Sequence, residues 1–143
     1  MSDQQKTLVR RLFEEVANKG NYDAANEMVH PDFIGHSFSP GTETIGVEGY
    51  KQFFKMLHGA FPDLSITIEE QVAEGDRVVT RWTARATHLG EFMGMPASGH
   101  QGVMSGINID RVVDGKLTEC WSNSDELGLL RQIGALAQPT GAS

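Results

Sequence analysis

The stretch from Ile107 to Gly134, INIDRVVDGKLTECWSNSDELGLLRQIG, constrains the fold more than any other. Apolar and β-branched residues flank Asp114-Gly115, a pair that tolerates the positive φ angles of a two-residue hairpin loop. Beyond Cys120-Trp121 the period changes, and Leu127, Leu130, Arg131 and Gly134 fall at helical spacing. The stretch therefore reads as strand, tight turn, strand and closing helix. A two-residue loop sets Val113 against Lys116, Asn108 against Trp121 and Met104 against Asp125. Side chains alternate along a strand, so Met104, Asn108, Trp121, Asn123 and Asp125 are expected on one face. Val103, Ile107, Ile109 and Cys120 are expected on the other. The first face mixes a Trp, a Met, an amide and a carboxylate, as the wall of a small-molecule pocket does; the second reads as core. One bulge would exchange the faces.

Upstream, Ser2-x-x-Gln5 has the form of a capping box, with Leu8, Leu12, Phe13 and Val16 on one helical face and Gly20 at the end. Asn21 is suited to cap a second helix that Pro31 stops. A short extended piece, Asp32 to His36, and a loop through Thr44 lead to a third helix from about Val47 to Ala60. From Leu64 the period is two. Val78, Trp82, Ala84, Ala86 and His88 share one face of a strand, while Arg81 on the other is placed to pair with Glu70 across the Glu74-Gly75-Asp76 turn. Leu89 to Gly99 is a loop able to shape a pocket mouth, and strand character resumes near Gln101. The tail QPTGAS, within residues 135–143, is expected to be disordered. Helices first and a strand meander afterwards predict a single α+β domain over residues 1–143, with an antiparallel sheet.

A net charge of −7 with scattered basic residues argues against nucleic acid. No apolar run approaches a membrane span, and the polar N-terminus does not read as a signal peptide, so a cytoplasmic protein is expected. The single cysteine excludes an intramolecular disulfide and a cysteine-type zinc site. HxH, HxxxH and HExxH are absent, as is a phosphate loop, and neither metal nor cofactor is expected.

Asp125 is the leading candidate base, since desolvation opposite Met104 would raise its pKa. It has an equally good structural role, because Asn123-x-x-Glu126 resembles a capping box that sets Asp125 in the first helical turn. His36 and His88 end extended segments beside loops and are candidates to share its proton, or to bond a loop carbonyl. His100 could join them by strand alternation. Trp121 and Trp82 are candidate apolar walls, and Asn108 and Met104 candidate contacts.

Several segments in order, HPDFIGHS, FPDL, EGDRVVTRW, THLGEFMGMPASGH, DGKLTECW and DELGLLRQIG, resemble the SnoaL-like polyketide cyclase family of the NTF2-like superfamily. The likeness runs from about Val9 to Gly134. It implies a cone, a curved antiparallel sheet wrapped around three helices, with an internal pocket, and frequent dimerisation through the outer sheet face. It also implies intramolecular aldol ring closure without metal or organic cofactor in family cyclases, hydroxylation in related members, and kinship to ketosteroid isomerase and limonene-epoxide hydrolase. Aligned on the DGK turn, the acid/base aspartate of the cyclases falls at Ser122, a flanking aspartate at Asp125 and a pocket histidine at Asn108. A serine hydroxyl is no proton acceptor at neutral pH. Two readings follow. One is a cofactor-independent lyase, isomerase or hydrolase for a small hydrophobic carbonyl compound, with Asp125 as base, His36 or His88 as partner, Asn108 at the oxyanion and Trp121 stacked on substrate. The other is a binding module or dimeric scaffold of the same shape without proton transfer.

Overall fold

The computed structural model describes residues 2–37 and 43–134. The tail, the Ser2 side chain of the expected capping box and most of the loop before Thr44 lie outside the described residues. Helix α1 (Ser2–Leu12) buries Val9 and Leu12 and then widens into a π-helical segment (Phe13–Asn18) that buries Val16 and Ala17. Gly20 ends it at φ 72°, as its position predicts. The second helix is shorter than expected. A 3₁₀ turn (Tyr22–Ala24) follows Asn21 without a side-chain cap and runs into α2 (Ala25–Met28). Next come β1 (Val29–Ser37), β2 (Thr44–Ile45) and α3 (Gly46–Ala60). The remainder is β3 (Ser65–Glu74), β4 (Arg77–Thr87), β5 (Gln101–Val113), β6 (Lys116–Ser124) and α4 (Glu126–Gln132). Among the described residues no helix is long and apolar enough to cross a membrane.

The strands form one curved six-stranded sheet in the order β2-β1-β6-β5-β4-β3. Every neighbouring pair is antiparallel except β1 and β6, so the short extended piece expected at 32–36 is a longer strand that runs parallel to the end of the chain. The helices pack into the concave face. On β4 the expected row is inside, with Val78, Trp82, Ala84 and His88 buried. Arg81 pairs with Glu70 at 2.6 Å on the opposite face.

The β5–β6 register departs from expectation. Asp114 and Gly115 adopt φ 51° and 75°, and Val113 faces Lys116, as a two-residue loop demands. Val112 then faces Leu117, but Arg111 faces Glu119, which leaves Thr118 as an extra residue. Its hydroxyl donates to the Arg111 carbonyl at 3.1 Å, holding the bulge against the strand it has slipped past. From there Asp110 faces Cys120, Asn108 faces Ser122 and Gly106 faces Ser124. One residue of slip reverses the alternation of β6. Cys120 and Ser122 turn inward, and Trp121 and Asn123 turn outward. The expected face is split, since Met104 and Asn108 keep the inner side without Trp121. Val103, Ile107 and Ile109, read as core, lie outside and are exposed.

Gly106 sits under the Trp82 indole, where an added Cβ would lie 2.3 Å from the ring. The indole fills the place of a side chain on β5, and the two strands depend on that vacancy. Gly106→Ala is predicted to lower unfolding free energy by about 1–3 kcal/mol, read from urea unfolding, because the buried indole must shift.

Candidate functional site

The concave sheet and the helices enclose a cavity of about 280 Å³. Most of its wall is apolar, built from aromatic residues of α3 (Tyr50, Phe53, Phe54), from Phe33 and Phe61, and from Trp82 on β4. The exposed side chains Met56 and Met93, with Glu126 and Leu130, mark its mouth. Polar groups gather on one part of the wall, where β5 and β6 meet beyond the bulge. Asn108, Asp110, Cys120 and Ser122 line it from the sheet, and Tyr50 from α3.

Asp110 is 4 % exposed. Removal from water favours its protonated form and lifts its pKa to about 7, which a hydrogen bond with the Cys120 thiol only partly opposes. Burial first, and then the neighbouring Asp110, push the Cys120 thiol well above its usual value. Tyr50 is raised in the same way, by burial first and then by the charges of Asp110 and Cys120. Its ring is set by an edge contact with Phe33 (5.5 Å between centroids) and a tilted one with Phe54 (5.1 Å). The Trp82 indole N–H donates to Asn108 Oδ1 at 3.0 Å. An indole only donates, so the amide oxygen is fixed toward it and the Asn108 NH₂ is the group left to serve a ligand. Burial also raises the Glu126 carboxyl at the mouth. A carboxyl that titrates near neutrality inside an apolar cavity can take a proton from carbon and return it to oxygen.

The residues expected at a site separate into two groups. Met104, Asn108, Ser122 and Trp82 all line the cavity. Trp121 is on the outer face, stacked on His36 at 5.4 Å, with the Arg77 guanidinium 5.1 Å from its ring. His36 and Trp121 are register partners on neighbouring parallel strands, and His36 Nε2 is 2.6 Å from Glu119. That imidazole is spent on an outer-face hydrogen bond. Asp125 caps α4, accepting from the Gly128 N–H at 3.0 Å while exposed, so its capping role and not its pocket role is the one realised. His88 is fully buried but is not part of the cavity lining. Its Nδ1 accepts from the Ser98 N–H at 3.2 Å, its ring packs near Phe61 and Phe92, and its Nε2 has no hydrogen-bond partner among the described residues. His100 is exposed. His58 joins Tyr22 Oη to the Ala17 carbonyl. The bulge and the helix cap thus remove the Asp125, His36 and Trp121 assembly from the cavity.

Asp110 was missed, although a signal existed. It lies two residues beyond Asn108 on one strand, so any reading that turned Asn108 inward turned Asp110 inward as well. Tyr50 was visible only as part of an apolar helix face. Among the described residues no group of three or more His, Cys, Asp or Glu side chains could hold a metal ion.

A family model described as SnoaL-like polyketide cyclase matches residues 7–133. Aklanonic acid methyl ester cyclase DnrD of Streptomyces peucetius is 30% identical over 129 residues, covering 89% of this chain and 88% of that protein. Nogalonic acid methyl ester cyclase of Streptomyces nogalater is 25% identical over 118 residues, covering 82% and 88%. Among solved structures, a candidate SnoaL-like polyketide cyclase from Jannaschia sp. CCS1 superposes with a TM-score of 0.86 at 28% identity, over 96% of this chain and 95% of that one. IdmH of Streptomyces antibioticus, described as a candidate polyketide cyclase, superposes at 0.80 with 34% identity, over 92% and 99%.

Asp110 also gives folding stability a pH dependence. The folded chain keeps this proton up to about pH 7, whereas the unfolded chain gives it up near pH 4. Between those values the folded state binds more protons, so each rise in pH works against folding. Asp110→Asn is predicted to remove this slope. Unfolding free energies at pH 5 and pH 8 should show the wild type losing on the order of a few kcal/mol more than the variant.

Proposed function

The chain belongs to the SnoaL-like polyketide cyclase family, and on that premise we propose that it is a cofactor-independent acid/base enzyme for a small hydrophobic carbonyl compound held in the cavity. The carbonyl's neighbouring C–H would be deprotonated for ring closure or isomerisation. One observation carries this reading: a buried carboxyl, Asp110, lines an otherwise apolar cavity and is bonded to a thiol and to no cation. Aligned on the DGK turn, the family aspartate falls at Ser122, and Ser122 faces Asn108 one step along the same inner row as Asp110. A carboxyl on β5 could therefore serve the same space that one on β6 serves in the cyclases. The relatives named as cyclases of aklanonic and nogalonic acid methyl esters favour a methyl ester as substrate. The exposed outer-face residues Ile34, Val72, Val103, Ile107 and Ile109 support the expected homodimer through the sheet.

Ser122 also favours a second reading, in which the cavity carries its ligand without chemistry. Hydrogen–deuterium exchange at the carbon next to the carbonyl of 2-tetralone, followed by proton NMR in D₂O, separates the two. The enzyme reading predicts exchange faster than buffer, rising as Asp110 ionises near pH 7, and a loss on the order of a hundredfold in Asp110→Asn. Binding of 2-tetralone with exchange at the buffer rate would leave the carrier reading standing.

A further inference from the structure

We propose that Tyr50 is the hydrogen-bond donor that holds the substrate's carbonyl oxygen while Asp110 moves the proton on the neighbouring carbon. The inference rests on the acid/base reading above and names the group that would stabilise the negative charge which that chemistry creates.

The lining of the cavity contains no Lys, Arg or His among the described residues. A developing oxyanion can therefore be met only by neutral donors. Of the polar groups on that wall, the Trp82 N–H is spent on Asn108 and the Cys120 thiol is engaged with Asp110, while the Asn108 NH₂ and the Ser122 hydroxyl share the sheet with Asp110 and are free to bind the rest of a ligand. The Tyr50 hydroxyl is held differently. Its ring is fixed between Phe33 and Phe54 on the cavity wall, close enough for the Asp110 charge to act on its hydroxyl. A phenol hydroxyl has one hydrogen bond to donate, and a ligand oxygen in the cavity can accept it. Tyr50 reaches the cavity from α3, which packs against β1, whereas Asp110 reaches it from the sheet. Phe33 links them: it touches Tyr50, and two residues on, Gly35 is paired with Cys120, the partner of Asp110. A carbonyl compound between α3 and the sheet thus meets a donor and an acid/base group together. Burial and the Asp110 charge hold the Tyr50 proton on the phenol, so it donates a hydrogen bond without transferring the proton.

The step balances without an outside oxidant or reductant. The Asp110 carboxylate takes the proton from the carbon next to the carbonyl. The C–H electron pair becomes a C=C bond and the carbonyl π pair moves to the oxygen, forming an enolate bonded by the Tyr50 O–H. The enolate oxygen then re-forms its carbonyl as the C=C pair makes a C–C bond to a second carbonyl carbon of the same molecule. The π pair of that carbonyl moves to its oxygen, which recovers the proton from Asp110.

Two measurements test the proposal. In the 2-tetralone exchange assay, Tyr50→Phe should lower kcat by about ten- to a hundredfold or more, change KM less than threefold, and retain the pH-rate limb due to Asp110. Exchange by Tyr50→Phe at the wild-type kcat would overturn it. Asp110→Asn at the wild-type rate would instead overturn the acid/base reading itself, so the two failures are distinguishable. The second measurement needs no catalysis. The chain has two tyrosines, and 3-fluorotyrosine labelling gives one fluorine resonance for each, assigned with Tyr22→Phe. Saturation with 2-naphthol, whose oxygen mimics an enol, should shift the Tyr50 resonance and leave that of Tyr22 in place. An unmoved Tyr50 resonance at saturation would overturn the contact, even if Tyr50→Phe failed to fold.

Discussion

An antiparallel strand pair has only two ways to face, and a single unpaired residue selects between them. Thr118 is that residue. Without the slip, the cavity would receive the Trp121 indole and lose Cys120 and Ser122. With it, Trp121 stacks outside on His36, and the inner wall carries two small side chains that leave room for a ligand. The bond from the Thr118 hydroxyl to the Arg111 carbonyl fixes the place of the slip. The polar part of the cavity, the stacked outer-face aromatics and the end of β6 where Asp125 begins the last helix all follow from it.

The electrostatics of the cavity follow from its composition as much as from its shape. A carboxyl removed from water needs a cation, several hydrogen bonds or a proton. Here no cation borders it and a weakly donating thiol is its bonded neighbour, so the proton is the solution at slightly acid pH. The same lack of compensation holds the thiol and the phenol in their neutral forms. Around neutrality the wall therefore offers one group ready to exchange a proton and others that keep theirs.

Much of the fold was legible because strand alternation propagates until something interrupts it. Nothing interrupts β4 over the Val78–Trp82–Ala84 row, and the Arg81–Glu70 pair could be named from spacing alone. The Asp114-Gly115 turn was legible from backbone sterics. Met104, Asn108 and Trp82 face inward because they lie on strands whose facing does not pass through the bulge. Trp121 lies beyond the bulge and does not. Asp125 carried two compatible meanings, cap and pocket carboxylate, and sequence spacing could not choose between them. His36 could not be placed, because its partner Glu119 comes from a parallel strand that local pattern does not foretell. Tyr50 shows a different limit. An aromatic on an apolar helix face reads as core, and only the assembled cavity shows what stands before its hydroxyl.

The parallel pairing of β1 with β6 joins residues 83 positions apart at His36 and Glu119. Hairpins such as β3–β4 and β5–β6 close over short loops, but this pairing must enclose most of the chain, and loop-closure entropy makes it a late event. Helix α3 rests on β1, so the phenol of Tyr50 comes into register with Asp110 only when that contact is made. During synthesis β6 leaves the ribosome after everything else that builds the wall except the last helix. The floor of the cavity is thus closed by an early strand meeting a late one, and a chain cut short before Lys116 would keep both Tyr50 and Asp110 and still have no closed cavity.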